Sequence, residues 1–250
     1  MNPYSMDIMI ILIISDIHAN WQALQAVLAK ESYDALIFLG DVVDFGPDPK
    51  TCVNFLIKSS NSRFWGVRGD HDHALAFGSN SNCTEVLKNI SNITREWGEC
   101  FLSGEEVGFL RRLPLDRDFS IDDLEFELAH GSDPYSYIFY NFIHGYEEPS
   151  PNTPVRSGVG EKRKFILVGH SHKPFIKIVG DTTILNPGSV GQPRDNDPRA
   201  SYAIIENGEA SIRRVTYDIE KTVKDLERSG MPFEVKGKLI SMLVSGSVMN

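Results

Sequence analysis

The sequence predicts an α/β fold that gathers a metal site at the carboxyl ends of its strands. A run of seven apolar residues, 8–14, is too short to cross a bilayer and rich in β-branched types, so it reads as a strand buried on both faces. It ends abruptly in Asp16 and His18, whose spacing of two lets both side chains point the same way. Four further apolar runs end in the same manner. Residues 35–39 lead into Gly40-Asp41, 64–67 into Arg68-Gly69-Asp70-His71-Asp72, 124–129 into His130, and 165–168 into Gly169-His170-Ser171-His172. Strand ends lying side by side would bring these groups into one cleft. Of the seven histidines, five (His18, His71, His130, His170 and His172) sit in these junctions, which scattered surface histidines would not do.

The remaining elements follow in order. Residues 1–7 form a lead-in that lacks the Lys or Arg of a signal peptide. Asn20 is placed to cap a helix with Trp21, Leu24, Val27 and Leu28 on one face. The second strand delivers Asp41 and Asp44. Asp48-Pro49 reads as N-cap and N1 of a helix carrying Cys52, Val53, Phe55 and Leu56. The third strand delivers Asp70. Residues 84–97 have a helical period through Val86, Leu87, Ile90, Ile93 and Trp97, and 105–112 form a shorter helix stopped before Pro114. Residues 116–129 read as a hairpin turning at Asp122-Asp123.

Residues 131–163 lack a regular period and hold Tyr135, Tyr137, Phe139, Tyr140 and Phe142, as a functional loop or insertion would. Strands follow at 165–168, 175–179 and 182–185. Residues 202–205 and 210–215 form a hairpin on Asn207-Gly208, a type I′ signal. Helices at about 218–228 and 233–243 finish the chain. No linker divides it, so residues 1–250 read as one domain.

Composition narrows the function. The net charge of −9 argues against a broad nucleic-acid-binding face, but not against a small anionic substrate held by metal ions. Three cysteines without C-x-x-C spacing fit a reduced, cytoplasmic protein, and no stretch is long enough to span a membrane. Asp16, His18, Asp41, Asp70, His130, His170 and His172 are too many ligands for one ion and suit two. Mixed carboxylate and imidazole donors favour Mn, Fe, Co, Ni or Zn over Mg or Ca. Two such ions clamp the attacking and leaving oxygens of a displacement at phosphorus and make hydroxide available near neutral pH. No G-x-S-x-G and no P-loop is present in the chain.

Asp16-x-His18, Gly40-Asp41-x-x-Asp44, Gly69-Asp70-His71-Asp72, His130 and Gly169-His170-Ser171-His172 resemble the five ordered motifs of the calcineurin-like metallophosphoesterase superfamily. Asn186-Pro187-Gly188-Ser189-Val190-Gly191 and Arg194 extend the likeness toward its small bacterial and archaeal branch, with diadenosine-tetraphosphatase-like and phosphodiesterase-like members. The resemblance implies a four-layer sandwich of two mixed sheets between helices. It implies one metal on Asp16, His18, Asp41 and His172, and a second on Asp41, Asp70, His130 and His170, with Asp41 bridging. Manganese comes first among the metals it suggests. His71, held by Asp44, would protonate the leaving group, and a metal-bridging hydroxide would attack phosphorus.

Two positions depart from relatives within that superfamily. Its third motif has Asn where this chain has Asp70. The added charge should tighten metal binding and weaken Lewis acidity. Its protein phosphatases have Arg after the second motif's Asp, where this chain has Phe45. Arg68 and Arg194 are the candidate phosphate contacts, and the aromatic residues after His130 suggest a nucleotide or dinucleotide polyphosphate substrate. The alternatives are a metal-depleted scaffold or binding protein of the same fold, which ligand erosion would reveal, and a protein phosphatase or nuclease, which Phe45 and the acidic charge disfavour; every ligand position here retains a coordinating residue.

Overall fold

A computed structural model describes residues 9–131 and 163–248. Five strands form the first sheet in the order β10-β9-β1-β2-β3: β10 is Glu209–Val215, β9 Ala200–Glu206, β1 Ile10–Ile14, β2 Ala35–Phe38 and β3 Phe64–Gly66. The second sheet runs β4-β5-β6-β8-β7, with β4 Asp116–Ile121, β5 Leu124–Ala129, β6 Arg163–Val168, β8 Thr182–Asn186 and β7 Phe175–Val179. Both are mixed. In the first, β1 pairs in parallel with β2, and β2 with β3, so Ile14 lies beside Phe38 and Phe38 beside Gly66. Residues 15–18, 39–44 and 67–72 therefore leave the sheet at the same edge. In the second, β5 and β6 are parallel with Ala129 beside Val168, which sets His130 next to Gly169-His170.

β1 is buried on both faces, as its uninterrupted apolar run predicts. Leu12 and Ile14 face a layer of helices, while Ile11 and Ile13 face the second sheet. That helical layer holds α1 (Trp21–Lys30), α2 (Pro49–Ser59) and α5 (Gly104–Arg112), which contribute Leu24, Val27, Val53, Leu56 and Leu110. A third cluster joins α4 (Glu85–Glu99), α6 (Ile219–Arg228) and α7 (Phe233–Ser245) around Phe45 of the loop after β2. Among the described residues, the outer face of the second sheet carries Asp118, Ser120, Glu125, Glu127 and Lys164.

Local expectations and geometry agree at most elements. Asn20 accepts the Ala23 amide and caps α1. Asn207 and Gly208 both take positive φ, as a type I′ turn requires. Cys52 is fully buried. At α2, Pro49 does occupy the first turn, but the Asp48 carboxylate makes no capping bond. Val86 lies outside the apolar face of α4 and is 66% exposed. One helix, α3 (Asp70–Phe77), has no sequence signal, because its buried face is filled by Asp70, His71 and Asp72 in place of an apolar stripe. The segment 131–163, the lead-in and His144 lie outside the described residues, apart from Gly131 and Arg163.

Four near-parallel aromatic rings tie the sheets together: Trp65 on Phe119 (4.6 Å), Phe119 on Phe126 (5.0 Å) and Phe126 on Phe165 (5.4 Å). Phe126 sits in the middle and is 1% exposed. Removing it leaves a cavity that neighbours from two sheets cannot both collapse into. Phe126→Ala is expected to cost about 3–5 kcal/mol and roughly 6–20 °C in melting temperature. Calorimetry checks this; a loss below about 1 kcal/mol would show that the stack does not hold the sheets.

Candidate metal centre

Seven side chains meet where the two sheets' carboxyl edges face each other. Asp41, Asp70, His130 and His170 form one ligand cluster, and Asp16, His18 and His172 another; within each, donor atoms lie within 4.8 Å of one another. In the first, His130 Nε2 lies 3.0 Å from Asp41 Oδ2 and 3.3 Å from Asp70 Oδ1, and His170 Nδ1 lies 3.0 Å from Asp70 Oδ1. In the second, His172 Nε2 lies 3.2 Å from both Asp16 Oδ1 and His18 Nε2. Asp41 Oδ2 stands between them, 4.0 Å from His18 Nε2. Ligands about 2.0–2.1 Å from an ion stand roughly 3–3.4 Å apart, which is the spacing found here.

Three imidazoles are oriented from behind. His18 Nδ1 donates to the Val43 carbonyl (2.8 Å), His130 Nδ1 to Leu39 (2.6 Å) and His172 Nδ1 to Gln192 (2.5 Å). Each bond fixes a proton on Nδ1 and turns Nε2 into the cleft, where His18 and His172, both held below the usual imidazole range, present a lone pair. Two such lone pairs, on His18 and His172, then face each other at 3.2 Å with no proton between them. Burial and the neighbouring His172 hold His18 well below the usual imidazole range, so it stays neutral. Asp16 Oδ1 and Asp41 Oδ2 are buried without a hydrogen-bond donor. Lone pairs and orphaned carboxylate oxygens crowded in a buried space are the complement of cations. The residues fit a metal centre.

Electrostatics within the cluster point the same way. Burial pushes Asp16 up, and any charge carried by His172, His130 or His18 beside it draws it well below the ordinary carboxylate range. Asp70 stays low against the same burial through bonds to His130 and His170. His71 is raised to about 9: burial opposes the charge, and Asp41 and Asp44 more than restore it. His71 belongs to neither ligand cluster. Its Nδ1 lies 2.7 Å from Asp44 Oδ2, and its Nε2 is 3.8 Å from Asp70 Oδ2, facing the cleft.

The backbone is strained where it delivers these groups. Asp16, His18, Asp41, Asp44, Phe45, His170 and His172 all have positive φ, a conformation costly for residues with a Cβ. Asp72, which sequence reasoning left without a role, helps impose it. Its buried carboxylate accepts the amides of Asp41 (2.8 Å), Val42 (2.8 Å) and Gly69 (3.2 Å). Burial and the nearby Asp41 push Asp72 up to about 7. Gly69 is required by close approach: a Cβ there would lie 2.0 Å from Asp41 Oδ1.

The two candidate phosphate contacts part company. Arg194 is half-buried at the rim, with its guanidinium in the field of Asp16, Asp41 and Asp70 and one nitrogen donating to Gln192 Oε1 (2.8 Å). Its Nε has no acceptor. Arg68 is directed elsewhere: NH1 donates to the carbonyls of Arg111 and Leu113 (both 2.9 Å), and the guanidinium lies over Phe77. It fastens the end of α5. His73 packs against Phe77, and its Nδ1 lacks a partner.

The calcineurin-like phosphoesterase superfamily domain matches residues 9–209. An uncharacterised protein of Methanocaldococcus jannaschii is 31% identical over 242 residues, covering 89% of this chain and 93% of its own. A metallophosphoesterase from Sphaerobacter thermophilus superposes with a TM-score of 0.69 at 29% identity, over 96% of this chain and all of the other. A hypothetical protein from Pyrococcus horikoshii OT3 shares the fold, with a TM-score of 0.72 at 20% identity over 96% of this chain and 100% of that one. With motifs, metal-ligand clusters and both sheets in agreement, the chain belongs to the calcineurin-like phosphoesterase superfamily, whose members hydrolyse phosphate esters with bound metal.

Proposed function

We propose that this chain is a two-metal phosphoester hydrolase acting on a small phosphorylated substrate. The observation that carries the reading is the pair of proton-free imidazole nitrogens 3.2 Å apart beside Asp16, with Asp41 shared toward a second cluster. Asp16, His18, Asp41 and His172 would hold one ion, and Asp41, Asp70, His130 and His170 the other. Two divalent ions, manganese foremost, would supply Lewis acidity and a water of lowered pKa.

The chain's own residues do the rest. Arg194 meets the anionic oxygens of the substrate from the rim. His71, charged at neutral pH and held through Nδ1 by Asp44, presents Nε2 to the leaving oxygen. As the bond from phosphorus to that oxygen breaks, the Nε2 proton passes to it, while water supplies the oxygen of the new bond to phosphorus. Arg68 takes no part in substrate contact, since its guanidinium is bound to the carbonyls at the end of α5. The three free cysteines, Cys52, Cys83 and Cys100, fit the reducing cytoplasm. Nucleotides and dinucleotide polyphosphates are the first substrates to test, on the aromatic residues between 135 and 142.

Metal content tests the ligand sets separately. His172→Ala is expected to retain one ion per chain and Asp41→Ala none, by elemental analysis after reloading the stripped protein. Equal loading of both variants would refute the sharing of Asp41. Manganese at a hundredfold excess over its dissociation constant should stabilise the stripped wild type by about 2.7 kcal/mol for each ion bound, or roughly 5–11 °C per ion in the melting temperature. A phosphoester panel with Mn, Ni, Fe and Zn then tests activity. Simple monoesters cleaved with no preference for nucleotides would count against the nucleotide substrate.

Asp70→Asn is expected to bind metal more weakly and turn over at least as fast. Lower turnover with every metal would show that the carboxylate itself is required.

A further inference from the structure

Asp44 is not isolated behind His71. Its Oδ2 accepts three bonds: His71 Nδ1 (2.7 Å), Ser91 Oγ (2.9 Å) and Arg95 NH2 (3.1 Å). Ser91 and Arg95 are one turn apart on the buried face of α4, and Arg95 is only 9% exposed. A buried guanidinium needs acceptors, and Arg95 has them on both sides. NH2 also meets Ser91 Oγ (2.7 Å) and Ser81 Oγ (3.1 Å), and NH1 donates to the Ser79 carbonyl and Asn92 Oδ1 (both 3.3 Å). The residue following Ser81 donates its amide to a candidate ligand, Asn82 N to Asp70 Oδ2 (2.7 Å). Arg95 therefore stands where the support of the imidazole and the loop that buttresses Asp70 converge.

We infer that Arg95 is a positioning residue: acting through Asp44, with Ser91 as a second tie, it fixes the His71 ring for proton delivery to the leaving oxygen. The inference rests on the hydrolase reading given above. The physical reason is rotational. A carboxylate whose Oδ2 is held by an imidazole alone can turn about its own axis, and the ring can follow. With Arg95 and Ser91 also bound to Oδ2, that oxygen is fixed from α4, and the ring direction is fixed with it. The buried cation also balances a carboxylate that would otherwise face His71 unsupported in a dry site. Arg95 touches neither candidate ligand cluster directly, so its loss should leave substrate binding intact.

Leaving-group dependence is the discriminating test, because an ester with a good leaving group needs no proton. In the manganese-loaded protein, Arg95→Ala is expected to lower kcat on phenyl phosphate at least ~10-fold, part of the ~10²–10⁴-fold that general acid catalysis supplies. On 2,4-dinitrophenyl phosphate the loss should be below ~3-fold, with KM unchanged on both and Arg95→Lys recovering most of the rate. Equal losses on the two esters, or no recovery by lysine, would overturn the inference. If Arg95→Ala fails to fold, Ser91→Ala takes its place, with a smaller but equally selective loss expected. A second readout needs no metal and no turnover: the downfield imidazole proton resonance of the metal-free protein, assigned by its absence in His71→Gln. Its disappearance in Arg95→Ala and retention in Arg95→Lys support the inference, and an unchanged resonance in Arg95→Ala refutes it. Should the wild type cleave neither ester with any metal, the resonance alone decides whether Arg95 orients His71, and the hydrolase reading stands or falls on the wider phosphoester and nucleotide panel.

Discussion

Two imidazole nitrogens, each with its proton committed to a backbone carbonyl on the far side of the ring, are held 3.2 Å apart in the buried cleft. That contact is repulsive unless a positive charge sits against it. The surrounding oxygens of Asp16 and Asp41 have no donors either. The chain concentrates lone pairs at one point, and the rest of the architecture exists to keep them there. Parallel pairing of β1, β2 and β3 sets three carboxylate-bearing loops at one edge, and parallel β5 and β6 bring two histidines to meet them.

Strands alone do not deliver side chains into a cleft at this density. Seven of the residues in and around the site have left-handed backbone, each at a cost of about 1–3 kcal/mol. The cost is met by bonds that leave the loops no alternative. Asp72 accepts amides of the loop after β2 and of its own helix start, so one buried carboxylate fixes the loop of Asp41 relative to Asp70. Ser189 does the same for β1, donating to the Asp16 carbonyl (2.7 Å). The loop that follows β8 is therefore part of the support of the first strand's ligands.

Legibility in the sequence followed the range of the interactions. Strand runs, the Asn207-Gly208 turn and the Asn20 cap are local, and their residues name them. The seven ligand candidates were visible because each ends an apolar run, a repeated pattern that no single motif would have made specific. What was hidden is what depends on distant partners. Arg95 reaches Asp44 across 51 residues, and nothing near Asp44 announces it. Its only trace is a charged residue on the buried face of a helix otherwise lined by Leu87, Ile90 and Gly98. Arg68 and Arg194 look alike as residues beside motifs. Only the carbonyls at the end of α5 and the carboxylates below Arg194 tell a structural arginine from one aimed at the site. Helix α3 was hidden for a related reason: polar site residues occupy the face where an apolar stripe would have marked it.

Asp70 draws these points into one electrostatic balance. Three carboxylates, of Asp16, Asp41 and Asp70, face the two clusters, so a pair of divalent ions would retain one net positive charge where an asparagine at position 70 would leave two. A phosphate dianion would meet a weaker field at the ions themselves. The chain has two cations of its own at the same cleft, Arg194 at the rim and His71 held charged by Asp41 and Asp44. Asp70 is also fixed as a carboxylate by its surroundings. Its Oδ2 accepts the Asn82 amide, a bond that an amide nitrogen placed there could not accept. Asp70, the 79–82 loop, Arg95 and His71 thus form one hydrogen-bonded set, which in the proposed reaction would move positive charge from the metal pair toward the protein groups at the same cleft.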